Sequence, residues 1–241
     1  DLVCHYCSAI YTNPGICNQC DSSNINFIGA GTQKIELEIK KLFPEVRIAR
    51  MDSDTMKSYK NYKQILHDFS HHQYDILLGT QMIAKGLDIK NITLAIVINA
   101  DLGMMVPDFR SHEKMFQLIN QVIGRSGRSN KKGKAIIQTS QPNNMVLQMA
   151  TNYESKQFYN LQLESRKSLN YPPFSRLLRI IFQSTSEKIC ESQSIKFFNF
   201  LKNDCKDFII GPFPCPIEKM FNYSRYHIII KIPHNKLKFI L

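Results

Sequence analysis

The sequence predicts an α/β fold, a parallel sheet flanked by helices, with a Cys-rich segment ahead of it and a small α+β domain behind. Three observations predict it. Between residues 25 and 142 short apolar runs alternate with amphipathic stretches, the pattern of βα units on a parallel sheet. Residues 1–24 hold two C-x-x-C pairs among turn-forming residues and little that could build a core. Beyond Pro142 the βα rhythm fades into a polar helical stretch and then a segment broken by Pro172-Pro173. At 241 residues and 43% hydrophobic content, the chain can hold one full domain and one or two smaller ones.

In the first segment Cys4 and Cys7 are followed, after nine residues, by Cys17 and Cys20, with Asn13, Pro14, Gly15 and Asn18 supplying turns. Each pair forms a knuckle presenting two thiolates, and four thiolates at about 2.3 Å close a tetrahedral structural zinc site. A redox C-x-x-C is the lesser alternative, because the motif occurs twice and no strand-then-helix pattern surrounds either copy. Cys190, Cys205 and Cys215 show no pairing pattern and read as buried thiols. No basic stretch leads into an apolar one at Asp1, and no run approaches the roughly 18 apolar residues of a membrane span. The expectation is a cytoplasmic protein with no membrane partner and no disulfide framework.

The main domain, residues 25–142, opens with a strand at 25–28 that ends at Gly29 and Gly31. Thr32 caps a helix with Ile35, Leu37, Ile39, Leu42 and Phe43 on its apolar side, stopped by Pro44. Strands follow at 46–49 and 75–78, separated by a polar turn at 52–54 and a helix from 62 to 74. A buried strand at 93–99 leads into a polar loop at Ala100 and Asp101, and Ser111 starts a helix whose Met115, Phe116, Leu118, Ile119 and Val122 face the sheet. A last strand spans 133–139. A polar helix from about 144 to 167 reads as a connector, within a connecting segment of 143–170. Residues 171–241 give a strand at 177–182, a helix at 189–205 and a strand at 226–232.

Residues 121–128, Gln-Val-Ile-Gly-Arg-Ser-Gly-Arg, carry the chemistry. Two guanidiniums three residues apart, Arg125 and Arg128, can both reach the terminal phosphate of a triphosphate, with Gln121 alongside. Gly124 and Gly127 remove side chains that would hold that phosphate away. The helix dipole also favours cations at that end, which accounts for part of the arginine preference structurally. The G-x-G at Gly29 and Gly31 lacks the third glycine of a dinucleotide fingerprint and is rejected as one. Thr80, Gln81, Lys85, Gly86 and Asp88 lie just past a strand, where open α/β sheets place ligand loops. For Lys85 a solvated surface lysine and a phosphate contact are equally good readings.

These two stretches resemble motifs V and VI of superfamily 2 helicases. The spellings "GTQMIAKG" and "PDFRSHEKMFQLINQVIGRSGR", with "YPPF" and "GPFPCPIEKMFNYSRYHIIIKI" further on, resemble the primosomal protein N′ (PriA) family of replication-restart DNA helicases over nearly the whole chain. The resemblance implies a second RecA-like helicase lobe at 25–142. It implies that Arg125 and Arg128 are arginine fingers, that Gly86 and Asp88 sense nucleotide, and that Thr80, Gln81 and Lys85 meet DNA. Gln33 stands where the family has glutamate, and Leu87 where it often has a polar residue, so neither is given a role. The family's four C-x-x-C pairs hold two zinc ions, which would assign Cys4 and Cys7 to one ion and Cys17 and Cys20 to the other.

No G-x-x-x-x-G-K-S/T loop occurs in the sequence. The expectation is therefore the C-terminal part of an ATP-dependent 3′–5′ helicase, inactive alone, that uses ATP with Mg²⁺ when joined to the missing N-terminal lobe. Its C-terminal domain is expected to be incomplete at Leu241. The family implies forked and single-stranded DNA, primosome proteins and single-stranded DNA-binding protein as partners. The formal charge of +11 agrees with a polyanion partner, and residues 151–241 hold 14 Lys and Arg against 7 Asp and Glu. Arg176, Arg179, Arg225, Lys231, Lys236 and Lys238, interleaved with Tyr171, Phe174, Tyr223 and Tyr226, could track a nucleic-acid backbone and stack on bases. Solvated faces with core aromatics account for the same pattern equally well. The alternative function is a non-catalytic, zinc-containing DNA-binding or adaptor module.

Overall fold

The computed structural model describes residues 2–3, 10–11, 15–17, 20–23, 31–52, 59–84, 92–124, 133–205 and 207–234. Near the N-terminus β1 (Leu2–Val3) and β2 (Ile10–Tyr11) pair antiparallel. The chain divides into two compact units, Phe27–Phe158 and a second that joins Asp1–Asn26 with Tyr159–Leu241.

In the first unit the expected strand at 25–28 lies outside the described residues. Helix α1 (Thr32–Leu42) follows, but its N-cap is Gly31 rather than Thr32. The Thr32 hydroxyl reaches instead to the buried carboxylate of Asp52. Only part of the expected apolar side of α1 is used: Ile35 and Ile39 are half-buried, while Leu37, Leu42 and Phe43 are exposed. Strand β3 (Ile48–Met51) starts two residues later than predicted, because the turn after Phe43 takes the Val46 N–H onto the Phe43 carbonyl at 3.2 Å. Helix α2 (Tyr59–Ser70) also starts and ends earlier than the predicted 62–74, and His72 just beyond it has φ of +59°.

Strand β4 (Ile76–Gly79) runs parallel to β3 in register Ile48 with Ile76, and the short helix α3 (Gln81–Ala84) follows. Strand β5 (Leu94–Val97) pairs parallel with β6 (Lys134–Ile137). Between them lie α4 (Ala100–Met104), where a polar loop was expected, and α5 (Ser111–Ile123). The parallel pairing and the interposed helices are those of an α/β lobe.

The stretch expected as one connecting helix is two. Helix α6 (Met145–Thr151) is capped by the Asn144 side chain, which accepts from the Val146 N–H at 2.9 Å. Tyr153, at φ of +60°, breaks the chain before α7 (Ser155–Ser168). Helix α6 is no solvated link: Val146, Leu147, Met149 and Ala150 are buried with Val97, Met115, Phe116 and Ile119. Phe158, from the first turn of α7, stacks on Phe116 with ring centroids 3.9 Å apart.

In the second unit β7 (Ser175–Ser184), α8 (Glu187–Cys205), β8 (Ile209–Met220) and β9 (Tyr223–Pro233) form an antiparallel sheet in the order β7-β9-β8. Ile228, Ile230 and Ile232 form its core with Phe198 and Leu201 of α8. Sequence reasoning missed β8, whose Pro212, Pro214 and Pro216 remove ladder donors. Its place at a sheet edge tolerates them, and its register with β9 shifts twice between Ile210 and Lys219. Gly211, at φ of +117° and facing the His227 carbonyl, is a position only glycine suits.

Candidate nucleotide-facing site

At the carboxyl end of β4 the chain turns sharply. A Cβ on Gly79 would lie 2.2 Å from the Met51 carbonyl oxygen and 2.4 Å from the Ile83 Cδ1. Only glycine lets β3, β4 and the first turn of α3 approach so closely. The Thr80 carbonyl then accepts from the Ile83 N–H at 3.0 Å, leaving Thr80 and Gln81 exposed at the strand end. Helix α3 packs against α5, the helix that carries Gln121 in its last turn.

Helix α5 is anchored at its start by Ser111, a buried hydroxyl that donates to the Val106 and Asp108 carbonyls. The Asp108 carboxylate accepts from the Arg110 backbone and guanidinium and from Lys114 Nζ at 2.7 Å. Those cations hold its acid well below the usual carboxylate range. At its other end α5 brings Gln121, half-buried, to its last turn and stops at Gly124, whose N–H meets the Asn120 carbonyl at 2.9 Å. Arg125, Gly127 and Arg128, and likewise Lys85, Gly86 and Asp88, lie outside the described residues.

Sequence reasoning placed Asp101 in a polar loop and gave it no role. This buried carboxylate accepts from the Thr139 hydroxyl and from the Ser140 N–H and Oγ, both at 2.7 Å, and these donors hold its pKa below the ordinary carboxylate value. The Asn99 and Ala100 N–H groups add bonds to Gln138. The carboxyl ends of β5 and β6 are thereby tied together, and α4 rests on α5, with Gly103 against Met115. The signal available was a lone aspartate directly after an apolar run. Asp52 was passed over in the same way: it accepts from Thr32 and pairs with Arg50 Nε at 3.0 Å.

Of the cysteines, Cys4 and Cys7 lie outside the described residues. At Cys17 the carbonyl accepts from the Asp21 N–H and the N–H donates to the Ser22 carbonyl, both at 2.9 Å, and Cys20 is exposed. A C-x-x-C pair suits one half of a tetrahedral thiolate site. Among the described residues no group of three or more His, Cys, Asp or Glu comes together to hold a metal, and no helix is long and apolar enough to cross a membrane.

Comparison with known proteins adds the following. Residues 17–130 match the helicase conserved C-terminal domain, and residues 167–240 match the primosomal protein N C-terminal domain. Replication restart protein PriA of Bacillus subtilis is 40% identical over 232 residues, 95% of this chain and 29% of the relative. Those of Borreliella burgdorferi and Chlamydia pneumoniae are 40% and 37% identical over 95% and 98% of this chain, and 34% and 32% of their own lengths. The chain thus spans about a third of the curated relatives it matches. The solved C-terminal domain of the DEAD-box protein Dbp5 aligns over 53% of this chain and 67% of its own at 18% identity, with a TM-score of 0.38 that supports nothing further.

Proposed function

The chain belongs to the PriA family, matching the C-terminal part of its members, and from that premise we propose that it supplies the second RecA-like lobe and C-terminal domain of an ATP-dependent 3′–5′ DNA helicase in replication restart. The observation that carries the proposal is that one continuous match, 40% identical over 95% of the chain, takes in both the helicase domain and the primosomal C-terminal domain. The packing of α3 against α5 supports a single site made from both stretches.

In this reading Arg125 and Arg128 approach the transferring phosphoryl group of ATP with its Mg²⁺, where fixed guanidinium charge stabilises the transition state. Gln121, Gly124 and Gly127 line the approach, and Gly86 and Asp88 meet the nucleotide. Thr80, Gln81 and Lys85 meet the DNA backbone. Cys4, Cys7, Cys17 and Cys20 serve structural zinc. Forked and single-stranded DNA, primosome proteins and single-stranded DNA-binding protein are the partners this role requires.

The test fuses the N-terminal two thirds of the Bacillus subtilis relative ahead of this chain and measures ATP hydrolysis with and without single-stranded DNA. DNA-stimulated turnover that falls about 10³-fold in Arg128→Ala is expected. A correctly folded chimera whose turnover ignores both Arg125→Ala and Arg128→Ala would remove the arginines from the reaction and favour an adaptor role.

A further inference from the structure

The end of α2 carries a group of side chains that the helicase reading does not use. His67 stands in its last turn, and the His71 N–H bonds the His67 carbonyl at 3.1 Å, so helical spacing continues one residue past the assigned end. The two rings therefore lie one turn apart on one face, stacked with centroids 4.1 Å apart and planes at 27°. Both residues are exposed, the His67 side chain at 65%.

Their hydrogen bonds fix which nitrogen is available. His71 Nδ1 lies 2.8 Å from the His67 carbonyl oxygen, which can only accept, so in the neutral ring Nδ1 carries the proton and Nε2 the lone pair. The Ser70 hydroxyl does not compete. It donates to that same carbonyl at 2.7 Å and offers its own lone pair to His71 Nδ1 at 3.2 Å. His67 Nδ1 faces the Asp68 carboxylate at 3.4 Å, an acceptor again, and Gln64 Nε2 holds that carboxylate in place at 2.9 Å. Metal-binding histidines characteristically donate one ring N–H to a carbonyl or carboxylate while the other nitrogen ligates. The donating half of that pattern is present at both rings, and the carbonyl end of the helix adds negative potential.

We propose that His67 and His71 form a two-imidazole chelate for a divalent late transition-metal cation, ligating through their Nε2 atoms, with water completing the coordination. Imidazole donors select Ni²⁺, Cu²⁺ and Zn²⁺ over Mg²⁺ and Ca²⁺, with Cu²⁺ bound most tightly. The bound ion cross-links the last turn of α2 to the residue that follows it. This site is separate from the cysteines and does not depend on the helicase reading.

The experiment is calorimetric titration of Ni²⁺ into the full chain after it has been loaded with Zn²⁺ and desalted, so that thiolates are already occupied. One Ni²⁺ per chain is expected. Loss of an outer-shell partner commonly weakens metal binding about 10- to 100-fold, so His67→Ala or His71→Ala, each removing a ligand, should weaken it about 100-fold or more. His72→Ala should leave it unchanged. The double change Lys63→His with His67→Lys keeps the number of histidines but sets the two imidazoles two turns apart, and should lose binding like the single variants. All four positions are solvent-facing, and far-UV circular dichroism checks that the variants fold. Absence of Ni²⁺ binding, binding by either alanine variant as tight as by the unchanged chain, or loss through Cys17→Ser and Cys20→Ser instead would overturn the proposal.

Discussion

The buried carboxylate of Asp101 accepts the Ser140 backbone N–H at 2.7 Å, joining the segment after β5 to the segment after β6 across 39 residues of sequence. It does so with two further bonds, from the Ser140 and Thr139 hydroxyls. Because α4 starts at this clamp and rests on α5, the direction of the helix that leads to Gly124 depends on it. Asp101→Asn keeps the shape but sets an amide N–H against donors. Hydrogen bonds to a charged group contribute about 1.5–3 kcal/mol, and an unsatisfied buried donor adds a comparable cost, so the variant should lose about 2–4 kcal/mol in urea unfolding.

Acid should expose the same dependence. Asp101 and Asp108 both have folded-state acids below their unfolded values, the first through Thr139 and Ser140, the second through Arg110 and Lys114. Asp75, bonded by the Arg47 guanidinium and N–H, is lowered to about 2. A lowered folded pKa contributes stability that is complete above the unfolded value of about 3.9 and is lost as pH falls through the folded one. Unfolding midpoints measured from pH 6 downward should therefore fall steeply below about pH 4, and Asp108→Asn should flatten that limb.

Phe158 tests where the first unit ends. Its ring is 2% exposed and stacked on Phe116, so Phe158→Ala should cost about 3–5 kcal/mol, as other large-to-small core changes do. A freely solvated connector would give almost none. Thermal unfolding of the variant decides between them.

The sequence pattern made β3 to β6 and the helix from Ser111 legible, because their apolar residues recur at the period of the element, although the strand expected to be buried at 93–99 leaves Leu94, Ile96 and Ile98 exposed. Helix α6 was misjudged because its seven residues are too short for that period to show, and Asn143, Asn144 and Gln148 made it look polar. In β8, prolines concealed a strand that an edge position permits. At the site, Thr80, Gln81, Gln121 and Gly124 could be named from local spelling, since motif residues are near neighbours in sequence. Asp101 and Asp52 could not, because each acquires its partners 39 and 20 residues away and only the fold brings them together.

Gly79 is the position where one methyl group should do most harm to the site while leaving its chemistry untouched. The added Cβ would meet the Met51 carbonyl at 2.2 Å and the Ile83 side chain at 2.4 Å. Ile83 can turn aside, but the carbonyl belongs to β3 and is fixed by its pairing with β4. Either the strands part or the turn into α3 moves, and both displace Thr80 and Gln81. Overpacking of this kind costs about 1–3 kcal/mol and sometimes more, so Gly79→Ala should lower the unfolding midpoint measurably. If Thr80 and Gln81 meet the DNA backbone, the same variant in the fused helicase should weaken single-stranded DNA binding even at temperatures where it stays folded. Fluorescence anisotropy of a labelled oligonucleotide measures this. Unchanged binding in a destabilised but folded Gly79→Ala variant would mean that the end of β4 is a packing site and not a contact with DNA.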